Sequence, residues 1–206
     1  MSAVRDPILT PVEIADLRPT QITVGMREVD VKRRELTHRP VKKIGPFLGA
    51  HMIPVVLGPR RRHYIIDHHH LSLALQRAGV SRVLVTVVAD LSELEPDQFW
   101  VVLDHRAWAH PYDARGRRRD FHAIPKSVSG LRDDVFRSLA GALRRAGGFA
   151  KDTTPFSEFL WADFLRRRIS RKRAEHAFSR MMKEAMTLAK SRDARYLPGW
   201  SGPVEE

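Results

Sequence analysis

Along the 206-residue chain the spacing of apolar positions changes several times, and each change predicts an element. Val12-Glu13-Ile14 with Leu17 reads as a short strand, and Gln21-Ile22-Thr23-Val24 as a second element ending at Gly25. From Arg27 to Thr37 charge dominates, and Val29, Val31 and Leu36 suffice only for a solvated helix with one thin buried edge. His51–Leu57 and His63–Ile66 are β-rich runs separated by Gly58-Pro59-Arg60-Arg61-Arg62, a hairpin with a basic turn. Pro54 lacks a backbone N–H and so suggests an edge position, or a late start, for the first run. Leu71, Ala74, Leu75 and Ala78 then share one helix face that closes at Gly79. Val83–Val88 is nearly all β-branched, the pattern of a strand buried on both faces.

A helix is predicted over Glu95–Trp108, with Pro96 in its first turn and Phe99, Trp100, Leu103 and Trp108 as buried candidates. Residues 109–125 read as a long basic loop and a candidate phosphate-contacting flap. Three helices follow. Asp133–Arg145 carries Val135, Phe136, Leu139 and Leu143 on one side, Phe156–Ile169 is rich in aromatics, and Ala174–Ala189 holds Ala177, Phe178, Met181, Ala185 and Leu188 in helical phase. The pattern divides the chain into an irregular lead-in (1–11), a mixed α/β domain (12–108), the basic loop (109–125), a helical C-terminal region (126–195) and an irregular tail (196–206).

Composition narrows the function. No apolar run approaches the ~18 residues of a membrane span, and the first residues lack the apolar stretch of a secretory signal, so a cytoplasmic location and no membrane partner are expected. Cysteine is absent, which leaves no thiolate nucleophile and restricts any metal to His, Asp or Glu ligands. The net charge of +12 favours polyanionic or phosphorylated partners. That charge is uneven: residues 1–103 hold 14 basic and 11 acidic groups, residues 104–206 hold 22 and 13. Six of the basic residues fall between Arg166 and Arg173, making Arg167, Arg168, Arg171 and Lys172 the candidate nucleic-acid contacts.

The chemistry concentrates at Asp67-His68-His69-His70, between the second hairpin strand and the helix that follows. A strand-to-helix turn aims unpaired N–H groups and a positive dipole end outward, which makes an anion site. Asp67 is also a plausible N-cap. A cap explains one aspartate and leaves three consecutive histidines unexplained, so phosphate chemistry is the first expectation.

Gln21–Met26, the hairpin leading into Ile66–His70, the helix ending Arg77-Ala78-Gly79, His110–Gly116, Leu131–Asp134, Phe136–Gly141 and Glu158–Phe164 together resemble the ParB-like nuclease family of the ParB/sulfiredoxin superfamily. The resemblance spans about residues 12–190 and implies an α+β fold, a ParB/sulfiredoxin-like mixed-sheet domain followed by a helical C-terminal region. In that superfamily the turn carries an Asp-Gly-His-His-Arg type motif that holds phosphates. Asp67, His69 and His70 match it, whereas His68 replaces the glycine and Leu71 the arginine. A guanidinium clamp would then come from elsewhere, with Arg117, Arg132 and Arg137 as candidates beside His68.

What the resemblance implies is a protein acting on phosphodiester or phosphoryl groups, most simply a nuclease with DNA as partner. In that role Asp67 would bind a divalent metal (Mg or Mn) or orient a histidine, His69 and His70 would contact phosphate or shuttle the proton, and Glu28 would activate the nucleophile. A nucleotide (ATP, ADP or CTP) is a further possible ligand. Two alternatives stand beside it: a small-molecule kinase like the free-serine kinase, and a non-catalytic partition-type DNA-binding module with a nucleotide-sensing pocket. A manganese phosphoesterase with a strand-borne Asp-His-His would need further strand-end aspartates upstream, and Asp6, Asp16 and Asp30 do not supply them.

Overall fold

A computed structural model describes residues 10–203 of the chain. The irregular lead-in expected over residues 1–11 lies outside the described residues except at its end, which opens the first strand. Two compact units share the chain: residues up to 22, 30–111 and 120–131 make one, and residues 23–29, 112–119 and 132 onwards make the other. They are interleaved in sequence, whereas the hydrophobic pattern divides the chain consecutively. The fold is α+β, a mixed sheet followed by a helical C-terminal region.

The first unit is built on a five-stranded sheet in the order β1-β6-β4-β5-β2. β1 (Thr10–Glu13) runs antiparallel to β6 (Arg82–Asp90), and β6 runs parallel to β4 (Ile53–Gly58). β4 forms the expected hairpin with β5 (Arg62–Ile65), and β2 (Arg18–Pro19) lies parallel to β5 with Arg18 opposite Tyr64 and Pro19 opposite Ile65. Strand β4 is therefore central, not an edge. Pro54 is accommodated because its carbonyl still accepts from the Ile66 N–H at 3.1 Å, so the missing donor falls just beyond the end of β5. Strand β6 is not buried on both faces either: Val83 and Val85 are buried, but Val87 and Val88 are 46% and 48% exposed where the pairing with β4 shifts register. A β-branched run reports strand propensity and leaves burial open.

Helix α3 (His69–Arg77) follows β5, with Leu71, Leu73, Ala74 and Leu75 buried. Helix α4 (Pro96–His105) buries Phe99 and Leu103 in a cluster with Val56 and Tyr64, and the Tyr64 and Phe99 rings lie 4.6 Å apart. Helix α1 (Met26–Thr37) buries Val29 and Leu36, the thin edge expected of it; its first turn belongs to the second unit and the remainder to the first. Helix α2 (Ile44–Ala50) was not expected, and it buries no residue that a pattern could have marked.

In the second unit β3 (Thr23–Val24) pairs in parallel with β7 (Arg132–Asp133) beside helices α5 (Val135–Arg145), α6 (Ser157–Arg166), α7 (Arg171–His176) and α8 (Phe178–Lys190). Their core joins Phe136, Leu139, Leu143, Trp161, Phe164 and Met181. Gly25 is required at its place, since a Cβ there would lie 2.7 Å from the Ser138 amide nitrogen. The single helix predicted over Ala174–Ala189 is two, because Ala177 leaves helical geometry at φ −130°. The described part of the irregular tail, up to residue 203, is tied down: the Trp161 and Trp200 indoles donate to the Pro198 and Ser191 carbonyls at 2.8 and 3.1 Å. Among the described residues no helix is long and apolar enough to cross a membrane.

Candidate functional site

The turn between β5 and α3 sits in the first unit and is built around an unusual backbone. His68 adopts φ 64° and ψ 24°, a left-handed conformation that costs an L-residue roughly 1–2 kcal/mol and is normally left to glycine. It is the position at which the resembling motif has glycine. Asp67, exposed, accepts from the His68 N–H at 2.6 Å, so its carboxylate does not cap the helix as expected; His68 holds the N-cap position and makes no side-chain capping bond. The first intrahelical bond runs from the Ser72 N–H to the His68 carbonyl at 2.8 Å. The N–H groups of His69, His70 and Leu71 therefore precede the ladder, at the positive end of the helix.

The three histidines do three different things. His69 is 5% exposed; its Nε2 accepts from the Thr20 N–H at 3.1 Å, and the Thr20 hydroxyl donates to the Ile65 carbonyl at 2.8 Å. Burial, followed by the repulsion of His68 and His110, lowers the His69 pKa to about 3 against the opposing hydrogen bond with the Ile65 carbonyl. The ring is neutral at pH 7, and because Nε2 accepts, its proton sits on Nδ1. His68 is half-buried, with its Nδ1 shielded from solvent and making no hydrogen bond. His70 is half-buried in the first turn of α3.

Thr20, Gln21 and His110 complete this site. The His110 N–H donates to the Thr20 carbonyl at 2.8 Å, and Gln21 bridges to His110. Sequence reasoning gave none of them a role; membership of the family-like stretches was the one available signal, and it covered only Gln21 and His110. Leu71 is 5% exposed, so the motif's arginine is replaced by a core side chain.

The other candidates lie in the second unit. Glu28, in the first turn of α1, has its Oε2 3.7 Å from Arg137 and 3.6 Å from Arg145. Arg137 is 8% exposed and pairs with Glu158, which also binds Arg144. Burial opposes ionisation of Glu158, but Arg137 and Arg144 outweigh it and hold its carboxyl below the ordinary range. Arg117 and Arg132 are exposed. The expected long loop is instead well organised. Over 112–119 the Asp113 carboxylate accepts from the Arg115 and Arg117 N–H groups at 2.8 and 3.0 Å and from the Arg119 side chain at 2.8 Å, and short helical turns follow at Phe121–Ala123 and Val128–Gly130. Of the four predicted nucleic-acid contacts, Arg171 pairs with Glu175 at 2.7 Å, and Arg168 lies 3.8 Å over the Phe164 ring. Arg167 and Lys172 are exposed, without a carboxylate partner among the described residues.

Asp67, His68, His69 and His70 are thus brought together in one unit, while Glu28 and the candidate arginines belong to the other. Among the described residues no three His, Asp or Glu side chains converge as a metal-ligand group. A divalent ion at Asp67 would draw the rest of its coordination from phosphate and water, as Mg²⁺ commonly does.

Residues 10–167 match the family described as "Putative ParB-like nuclease". The crystal structure of protein Atu1540 from Agrobacterium tumefaciens is similar at 56% identity and a TM-score of 0.90, covering 97% of this chain and 100% of that one. The C-terminally truncated chromosome-partitioning protein ParB from Caulobacter crescentus, complexed with CTP-gamma-S, is 11% identical with a TM-score of 0.32, over 90% of this chain and 93% of that one. No curated protein matches the sequence.

Proposed function

The chain belongs to the ParB-like nuclease family, and from that premise we propose that it binds a phosphate group at the N-terminus of α3 and cleaves phosphodiester bonds, with DNA as its partner. One observation carries the reading: a nine-residue helix begins without a side-chain cap, on a left-handed histidine, inside a turn crowded with imidazoles. Backbone N–H groups aimed at a phosphate need no reorganisation when it binds.

In this proposal the His69, His70 and Leu71 amides hold the non-bridging oxygens. His69 is a positioning residue, since its neutral ring is fixed by Thr20 and Ile65 and fixes the turn in return. Asp67 keeps one oxygen on the His68 amide and uses the other to take the proton from attacking water. Water's oxygen bonds to phosphorus, the P–O bond to the leaving group breaks, and His70 supplies the proton to the departing oxygen. A bound Mg²⁺ or Mn²⁺ at Asp67 would supply charge neutralisation of the phosphate oxygens. A nucleotide such as ATP, ADP or CTP would place its phosphates on the same amides. Glu28 is left out, because its carboxylate is engaged by Arg137 and Arg145.

The test is cleavage of end-labelled duplex and single-stranded DNA by the wild type, Asp67→Asn and His70→Ala, with Tm measured alongside. The expected result is cleavage by the wild type and a loss of roughly 10²–10⁴-fold in each variant at unchanged Tm. Full activity in both variants, or conversion of ATP to ADP with no DNA cleavage, would overturn it.

A further inference from the structure

A second concentration of charge in the first unit lies away from the α3 turn. A cavity of about 400 Å³ is lined by Asp16, Arg18, Arg61, Arg62, His63 and Lys126. Its position follows from the sheet: Arg18 and Arg62 open the parallel strands β2 and β5, whose opposite ends lead to Thr20 and Asp67. Asp67 follows Arg62 by five positions, along β5 and the bend after it, and at up to ~3.3 Å per position the two places stand on the order of 15 Å apart.

Two features mark this cavity as built to attract. The first is charge balance. Arg61 lies 3.6 Å from Asp90, but Arg18, Arg62 and Lys126 have no carboxylate partner among the described residues, and Asp16 is the one acid in the lining. Such cations repel one another, and an oxyanion relieves the repulsion. The second is backbone strain. Arg60 and Arg61 sit at the hairpin tip with φ of 60° and 53°, a pair of left-handed positions that hairpins normally fill with Asn-Gly. Strain of this kind persists where the side chains are wanted. His63 adds a ring whose pKa is lowered by burial, against the pull of Asp16.

We propose that this cavity is a second oxyanion site, taking a ligand that carries two or more phosphoryl groups. The lining holds no aromatic ring other than the imidazole and almost no apolar surface, so it has nothing on which to stack a base. Recognition rests on phosphate alone and is indifferent to base identity. Linked phosphates occur as the tail of a free nucleotide or as successive groups of a nucleic-acid strand, and both present this chemistry. The site does not depend on catalysis at Asp67.

The probe is pyrophosphate, titrated into the full chain and followed by amide NMR, with Arg18→Gln/Arg62→Gln and Asp67→Asn as separate variants. Pyrophosphate is expected to shift the amides of residues 16–18 and 61–63. The arginine double variant is expected to weaken that binding at least tenfold, while Asp67→Asn leaves it intact. ATP and CTP competing equally at low micromolar concentration would identify a nucleotide tail. Competition by a short oligonucleotide, with affinity falling steeply with salt, would identify strand phosphates. Shifts confined to residues 67–71, or a double variant that binds as the wild type does, would overturn the second site, whatever the fate of the α3 site.

Discussion

Both units pair arginines with carboxylates, in the first unit Arg82 with Glu13, Arg77 with Asp30 and Arg61 with Asp90, but they differ in the charge they leave unpaired. In the second unit arginines are paired: Arg166 with Asp134 and Asp163, Arg137 and Arg144 with Glu158, Arg173 with Glu184, Arg171 with Glu175. In the first unit the α3 N-terminus lacks a side-chain cap, and Arg18, Arg62 and Lys126 lack carboxylate partners among the described residues. The C-terminal half carries more of the positive charge, 22 basic against 13 acidic groups, yet much of it holds helices together. What a polyanion can use is the unpaired fraction, and net charge along a sequence does not report that.

The largest effect should come from breaking a pair in the second unit. Asp134 is 1% exposed, caps α5 through the Phe136 N–H at 3.0 Å, and binds Arg166; burial raises its pKa and Arg166 only partly offsets this. Asp134→Ala removes the α5 cap and leaves the largely buried Arg166 guanidinium to Asp163 alone, and a loss of about 2–4 kcal/mol in denaturant unfolding is expected. In the first unit Arg62→Gln should change stability by less than about 0.5 kcal/mol. Equal losses in the two variants would erase the contrast.

His69 gives the next effect, read against pH. The folded state holds it neutral with a pKa of about 3, while the unfolded chain protonates near the ordinary value of 6.5. The unfolded state therefore binds more protons as pH falls, so stability is complete above 6.5 and is lost down to about 3, by up to roughly 1.4 kcal/mol per pH unit. His69→Gln should lose less than the wild type over this window in chemical denaturation. Parallel pH curves would place His69 in solvent.

A smaller effect tests the strain at His68. His68→Gly should raise stability by about 1 kcal/mol, relieving a left-handed residue, and, because glycine keeps the same turn, should leave phosphate binding by the α3 amides in place. Smallest is the salt response: Arg167→Gln and Lys172→Gln should each flatten the slope of log DNA affinity against log salt by about 0.9, while Arg171→Gln, already paired with Glu175, should do less.

The strand, turn and helix at residues 62–77 were legible because a β-branched and aromatic run gives way to a helical face at Leu71, Ala74 and Leu75. The division of labour among the histidines was also within reach and easily missed. On a helix, residues at i and i+4 share a face, so His69 shares one with buried Leu73, but three identical residues hide that phase. His68's conformation showed only as a histidine where the resembling motif has glycine. Thr20 and His110 reach the turn through backbone groups, and pairs such as Arg166–Asp134 and Arg137–Glu158 join residues far apart in sequence, so no local pattern announces them. The break at Ala177 carries no proline or glycine to mark it, and helix α2 holds Gly45, Pro46 and Gly49 and buries nothing, so its composition argues against the helix it forms.

The central claim is that the α3 N-terminus holds a phosphate through its backbone. It is tested most directly by titrating the protein with a dinucleotide phosphodiester and following the amide resonances of His69, His70 and Leu71. The account predicts saturable downfield shifts at these three amides, retained in His68→Gly. Saturation of the ligand with these resonances unmoved would contradict it.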